Sequence, residues 1–268
     1  MDTFVADSES RRGRKSLSEF HGKVTLVTGG GSGIGLATAV MLGKRGARVV
    51  ITERNQDHCE AAVQTIKDEG GSADYFVADL SKKEDIDKLF GHIGETFGKL
   101  DCAFNNAGIA GELAATADIT EEDWDVAMNI NLKAVWRCMK HEIKIMLAEG
   151  KGSIVNTASA AGLVALPGAA AYVVAKHGVA GLTKNAAIEY VKNGIRVNAV
   201  CPSFVGTPLT MSVNAKYPDF VAHAFQLQPI GRVGTADEIA ETVCFLLSDA
   251  SSFTTGAMIS ADGGYVAQ

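Results

Sequence analysis

A serine, a tyrosine and a lysine stand close together in the stretch Ala158 to Lys176, which reads ASAAGLVALPGAAAYVVAK. Tyr172 follows Ser159 by thirteen residues, and Lys176 follows Tyr172 by four. Four residues is just over one helical turn, so in a helix the phenol and the ammonium share a face. A phenol is a weak acid with an ordinary pKa of about 10. A cation about 4 Å away, at an effective dielectric near 20, favours the phenolate by roughly 4 kcal/mol. Each pKa unit corresponds to about 1.4 kcal/mol, so such a pair can exchange a proton near neutral pH. The same spacing also suits an ordinary helix residue beside a lysine whose stem snorkels over apolar surface. The rest of the chain has to discriminate.

A second chemical signature lies near the start. The β-branched run Val24-Thr25-Leu26-Val27-Thr28 leads into Gly29-Gly30-Gly31-Ser32-Gly33-Ile34-Gly35, and a helical pattern runs from Leu36 to about Arg45 with Gly46 as its stop. Strand, glycine loop and helix open a dinucleotide-binding unit. The glycines let the backbone approach a pyrophosphate, which sits where free N–H groups and the helix dipole favour an anion. The spacing Gly29, Gly33, Gly35 departs from GxGxxG, and a purely structural turn would also fit it. Glu53 ends a second strand, Arg48 to Thr52, eighteen residues after Gly35. A carboxylate there accepts hydrogen bonds from an adenosine ribose 2′-hydroxyl and repels a 2′-phosphate. Ser32 is uncharged and holds no such phosphate; Arg54, next to Glu53, is the one basic residue that would. The reading is NAD rather than NADP.

The elements that must position these groups alternate. Helices are expected at Asn55–Glu69, Lys82–Phe97, a long Glu121–Ala148 with Thr120 as N-cap, and the Tyr172 helix to about Asn193. Strands are expected at Ala73–Ala78 before Asp79-Leu80, Leu100–Phe104 before Asn105-Asn106-Ala107-Gly108, Ser153–Thr157 before Ser159, and Ile195–Val200. This alternation predicts an α/β fold, a Rossmann-type doubly wound parallel sheet in three layers. Residues 21–268 read as one catalytic domain, and 1–20 as an extension outside it. Each chemical group then falls at the C-terminal end of a strand, where ligands bind in open α/β sheets.

Composition narrows the function. The chain has 268 residues, 47% of them apolar, with 29 glycines and a net charge of −6. That balance argues against nucleic acid as a partner. The short run Arg11, Arg12, Arg14, Lys15 reads as a solvated tail, because Arg11-Arg12 lacks the apolar run of an export signal. No stretch is long and apolar enough for a membrane span. The cysteines Cys59, Cys102, Cys138, Cys201 and Cys244 are odd in number and lack a CxxC pair, which suits reduced thiols in a cytoplasmic protein with no metal site. There is no GxSxG elbow, HExxH pair or Lys-Ser/Thr ending to the glycine loop.

Taken together, residues 21–268 resemble the short-chain dehydrogenase/reductase family. The resemblance rests on Thr28-Gly29 with Gly33-Ile34-Gly35, Asp79, Asn105-Asn106-Ala107-Gly108, Asn131, Ser159, Tyr172 with Lys176, and Pro202 with Thr207, all in order. It implies that Tyr172 exchanges the proton with the substrate oxygen and that Ser159 positions that oxygen. It implies that Lys176 lowers the tyrosine pKa and holds the nicotinamide ribose, while Asn131 supports a water relay. Gly29, Ser32, Gly33, Ile34, Gly35, Glu53, Asp79, Leu80, Asn106, Ala107, Gly108, Tyr172, Lys176, Pro202, Val205 and Thr207 would contact the cofactor. One departure stands out: Ser203 follows Pro202 where the family often has glycine.

The segment from about 208 to 233 would be a substrate lid. Its Leu209, Met211, Val213, Tyr217, Phe220, Phe225 and Leu227 suit an apolar or cyclic substrate, or equally packing on the domain. His177 points away from Tyr172, and His223 reads as solvated. The Asp262-Gly263-Gly264 tail belongs, by resemblance, to subunit interfaces of a homotetramer or homodimer, and in some relatives its terminal glutamine, here Gln268, helps hold magnesium. The expected activity is reversible hydride transfer between a secondary alcohol and NAD. The alternatives are an NADPH-dependent 3-oxoacyl-type ketoreductase and a non-catalytic dinucleotide-binding regulator, the latter disfavoured by the complete Ser159, Tyr172, Lys176 and Asn131 set.

Overall fold

Hydrophobic runs with no polar alternation are what a strand needs when both of its faces are covered; the inner strands here are almost wholly buried, and the two edge strands only partly. The computed structural model describes residues 19–268. Within them seven strands form one parallel sheet: β1 (Val24–Thr28), β2 (Arg48–Glu53), β3 (Ser72–Val77), β4 (Cys102–Asn105), β5 (Gly152–Thr157), β6 (Ile195–Pro202) and β7 (Met258–Ala261). Their spatial order is β3-β2-β1-β4-β5-β6-β7. Successive residues serve opposite layers. Ile195, Val197, Ala199 and Cys201 of β6 face one core and Val200 the other.

On the first face lie α3 (Lys83–Phe97), α5 (Ala134–Glu149) and α6 (Ala170–Tyr190), through Ile86, Leu89, Met139, Ile143 and Val179. On the second lie α1 (Gly33–Lys44), α2 (Gln56–Asp68) and α9 (Ala236–Leu247), through Leu42, Ile66 and Val243. The chain is therefore the three-layer doubly wound fold that its sequence predicts. The strand order reverses between β1 and β4, which opens a crevice at their C-terminal ends. No helix among the described residues is long and apolar enough to cross a membrane.

Two details differ from the sequence expectation. Phe20, assigned to the extension, is fully buried in the second core, with its backbone N–H donating to the Arg45 carbonyl at 2.9 Å. The ordered fold thus includes Phe20, because a phenyl ring ahead of β1 fills the space beneath α1. Residues 1–18 of the expected extension, including the basic run, lie outside the described residues. The long helix also breaks: α4 (Glu121–Met128), capped by Thr120 as expected, gives way to a π turn over Asn129–Lys133 before α5. That turn carries Asn131, and a wider turn of this kind re-aims side chains at functional sites.

A buried polar cluster lies under the end of β4. Asn105 Nδ2 donates to Glu142 Oε2 and to Asn156 Oδ1, both at 3.0 Å, and Asn156 Nδ2 donates to Thr183 Oγ1 at 2.9 Å. Glu142 Oε1 has no partner. Burial pushes the Glu142 carboxyl up to about 8, against the Asn105 hydrogen bond, so it keeps its proton at neutral pH. A folded-state acid raised above its unfolded value loses stability as pH rises from about 4.5 to about 8. Glu142→Gln should match the native protein near pH 4.5 and exceed its stability above pH 8, measured by urea unfolding at both pH values.

Candidate active site

The glycine loop is shaped by close contact. Gly29 has φ +63°, and a Cβ there would stand 2.9 Å from Ala107 Cα. A Cβ at Gly35 would meet the Gly29 carbonyl oxygen at 2.1 Å. Ser32 occupies the N-cap of α1 in extended conformation without a side-chain cap bond, so the first N–H groups of α1 stay free. The loop is stitched to the end of β4 by Thr28, whose Oγ1 accepts from the backbone N–H groups of Asn106 (2.9 Å) and Ala107 (3.1 Å). Asn106 Nδ2 returns bonds to the Thr28 and Gly29 carbonyls at 3.2 and 3.3 Å. Sequence reasoning quoted Thr28 as part of a motif and missed this work of its hydroxyl.

Between these loops runs a cleft of about 780 Å³. Gly29, Ser32, Gly33, Ile34, Glu53, Asp79, Leu80, Asn106, Ala107, Gly108 and Thr207 all line it, although they come from five strand ends. Arg54 and His58 line it at the Glu53 end. Gly35, Pro202 and Val205 do not: Gly35 serves contact between α1 and β1, and Val205 is buried in the core. Glu53 Oε1 accepts from the Arg54 N–H at 2.9 Å. Asp79 Oδ1 accepts from the Ser81 hydroxyl (2.7 Å) and N–H (3.0 Å), which hold its carboxyl below the usual carboxylate range.

A smaller pocket of about 130 Å³ adjoins the cleft and shares Ala110, Leu209 and Val213 with it. Ser159 and Tyr172 form one wall; Leu113, Leu166, Phe204 and Phe220 are its apolar lining. Two short helices, α7 (Pro208–Lys216) and α8 (Pro218–Gln226), make the expected lid segment. The lid divides its apolar residues between the two uses that sequence left open. Leu209, Val213 and Phe220 face the pocket, Phe225 packs edge-on to Phe204 with centroids 5.5 Å apart, and Met211 is 67% exposed. Glu112, in the loop after β4, pairs with Lys216 and accepts from the Tyr217 hydroxyl at 2.8 Å, tying the end of α7 across the cleft.

The three residues of the opening motif converge. Ser159 follows β5 in extended conformation, and its Oγ accepts from the Ala161 N–H at 3.1 Å and donates to the Pro202 carbonyl at 3.3 Å. Tyr172 lies in the first turn of α6, and Lys176 one turn later is almost fully buried. Lys176 Nζ donates to the Thr157 carbonyl at 2.8 Å and lies 5.6 Å from the Tyr172 ring centre. Asn131, fully buried, accepts from the Ile109 N–H at 2.9 Å and donates to its carbonyl at 3.0 Å. His177 is turned to its own helix, toward the Val173 carbonyl.

The electrostatics reverse one expectation. Desolvation raises the Tyr172 phenol above its ordinary value, opposed by a hydrogen bond with Ser159. The expected lowering by Lys176 is absent here, because burial brings the ammonium itself down to about 8 and its proton bonds to Thr157.

The family profile described as enoyl-(acyl carrier protein) reductase matches residues 29–266. The chain belongs to the short-chain dehydrogenase/reductase family. It is 43% identical to a cyclohexanol dehydrogenase from Acinetobacter sp. (strain SE19), over 94% of this chain and 98% of that one. It is also 43% identical to a 2,5-dichloro-2,5-cyclohexadiene-1,4-diol dehydrogenase from Sphingobium indicum, over 94% of this chain and the whole of the relative. A solved NAD+-bound xylitol dehydrogenase superposes with a TM-score of 0.88 at 34% identity, covering 92% of this chain and 100% of that one. The protein is an oxidoreductase of CH–OH groups that uses a nicotinamide dinucleotide.

For a buried lysine whose folded pKa lies below its unfolded 10.5, the folded state carries a desolvation cost below pH 8 that is relieved as pH rises to 10.5. The native protein should therefore gain stability relative to Lys176→Met between pH 8 and 10.5, with denaturant midpoints of both proteins as the readout.

Proposed function

We propose that this enzyme reversibly oxidises a secondary alcohol on a ring or apolar frame to the ketone, with NAD as its dinucleotide. One observation carries the reading: Ser159 and Tyr172 wall a small apolar pocket that opens directly onto the glycine-lined cleft. The names of the relatives, a cyclohexanol and a cyclohexadiene-diol dehydrogenase, support a cyclic substrate.

The cleft suits the dinucleotide chemically. The bare backbone of Gly29 and Gly33 and the free N–H groups of α1 would hold a pyrophosphate. Glu53 would accept from the adenosine ribose hydroxyls, Asp79 and Leu80 would flank the adenine, and the Asn106–Gly108 backbone would pass the ribose. Thr207, with Val205 behind it, would hold the nicotinamide end, and Lys176 its ribose hydroxyls. When bound, the cofactor supplies or accepts the hydride.

The protein's own groups manage the proton. Tyr172 gives its phenolic proton to the carbonyl oxygen in reduction and takes it back in oxidation. Ser159 turns its hydroxyl from the Pro202 carbonyl to that oxygen, where negative charge develops. Lys176, near 8, replenishes the phenol's proton at neutral pH. Asn131 pins the Ile109 backbone beside them and, through water, passes protons outward from Lys176. Apolar Trp136, Val174 and Ile188 remain exposed on α5 and α6, which supports pairing with a second copy.

A panel of cyclic and linear secondary alcohols with NAD, read by NADH absorbance, should show turnover of the cyclic members. Tyr172→Phe should abolish that turnover by at least about 100-fold while NADH still binds by fluorescence; near-normal rates would sink the mechanism. Arg54 and His58 near Glu53 are the groups a 2′-phosphate would use. Glu53→Ala should therefore raise the NADP:NAD ratio of kcat/KM by about tenfold or more, and an unchanged ratio would show that Glu53 does not choose the cofactor.

A further inference from the structure

The C-terminal tail reaches the substrate pocket. Tyr265 lines that pocket together with Ser159 and Tyr172. Its backbone is held from several sides. The buried Asp262 carboxylate accepts from the N–H groups of Gly264 and Val266, each at 3.0 Å, and the Asp262 carbonyl accepts from the Tyr265 N–H at 3.2 Å. The Gly263 carbonyl accepts from the Ile230 N–H at 3.1 Å, and Gln268 Nε2 donates to the Leu227 carbonyl at 2.8 Å. The Phe204 ring lies 6.3 Å from that of Tyr265. A side chain so anchored keeps its orientation without help from a ligand.

The other hydroxyls of the pocket are engaged. Ser203 Oγ donates to the Asp262 carbonyl at 2.9 Å and lies 3.1 Å from Gln228 Oε1, while Thr210 Oγ1 lies 3.3 Å from Thr207 Oγ1. Ser159 and Tyr172 serve the reacting oxygen. The Tyr265 side chain is partly exposed, and its hydroxyl makes no hydrogen bond among the described residues. A hydroxyl set in an apolar wall disfavours a ligand that leaves it unpaired and favours one that pairs it.

Resting on the alcohol dehydrogenase reading above, we propose that Tyr265 determines substrate specificity by hydrogen-bonding a second oxygen of the substrate, a hydroxyl or carbonyl away from the reacting carbon. The preferred substrates are then cyclic diols or hydroxyketones rather than simple cyclic alcohols. Tyr265 is not a catalytic residue, and its effect falls on binding.

The test compares the native enzyme and Tyr265→Phe with cyclohexanol and with cyclohexane-1,4-diol, using NAD. The native enzyme should prefer the diol. The variant keeps the ring and loses no internal bond, so its thermal midpoint should be unchanged. Its KM for the diol should rise about tenfold, with cyclohexanol kinetics within about twofold of native, the range of an interaction that Phe retains. Equal losses on both substrates, or no change on the diol, would overturn the proposal and leave Tyr265 as a shape-filling wall. Failure of the native enzyme on every alcohol is a separate result: it removes the dehydrogenase reading and this inference with it.

Discussion

One hydroxyl holds together the two loops on which the site depends. Strands β1 and β4 are neighbours at the point where strand order reverses, so the loops leaving them diverge and open a crevice. Thr28 Oγ1 accepts two backbone N–H groups of the β4 loop, and Asn106 answers with two bonds to the glycine loop. Both loops are thereby set at one separation, and Gly29 without a Cβ allows the approach. Everything that lines the cleft is placed relative to that seam.

Beneath the seam the protein buries groups that would ordinarily be charged. Glu142 sits under the end of β4 with its carboxyl raised, and Lys176 lies under the site with its ammonium lowered. In both cases desolvation is the main cause, and neutral hydrogen-bond partners, Asn105 and the Thr157 carbonyl, compensate part of the cost. The two groups differ in use. Lys176 lies one helical turn from Tyr172 beside the pocket, whereas Glu142 braces the strand end that carries Asn105.

The pocket is closed by parts of the chain far apart in sequence. Ser203, the departure from the family's usual glycine, bonds the tail at Asp262 and meets Gln228, which also accepts from the Phe204 N–H. A serine there links the loop after β6, the lid and the tail into one unit. Glu112 does the same from the opposite side through Lys216 and Tyr217. The two short helices of the lid are thus fastened at their junction and at the C-terminal end.

Much of this was legible in the residues. Strand runs, glycine stops and helical periods report local preference, so the order of elements as far as β6, the three layers and the placing of Gly29, Glu53, Asp79, Asn106 and Ser159 at strand ends follow from sequence alone. The Tyr172–Lys176 spacing fixes their shared face, because it is a property of one helix. The sign of the Tyr172 shift was not legible, since it depends on how much water the fold removes and on whether Lys176 has another partner. Phe20, the π turn at Asn131, the Glu142 cluster and Tyr265 were hidden for the same reason. Each is defined by contacts between residues distant in the chain, and burial and hydrogen-bond partnership exist only once those segments are packed together.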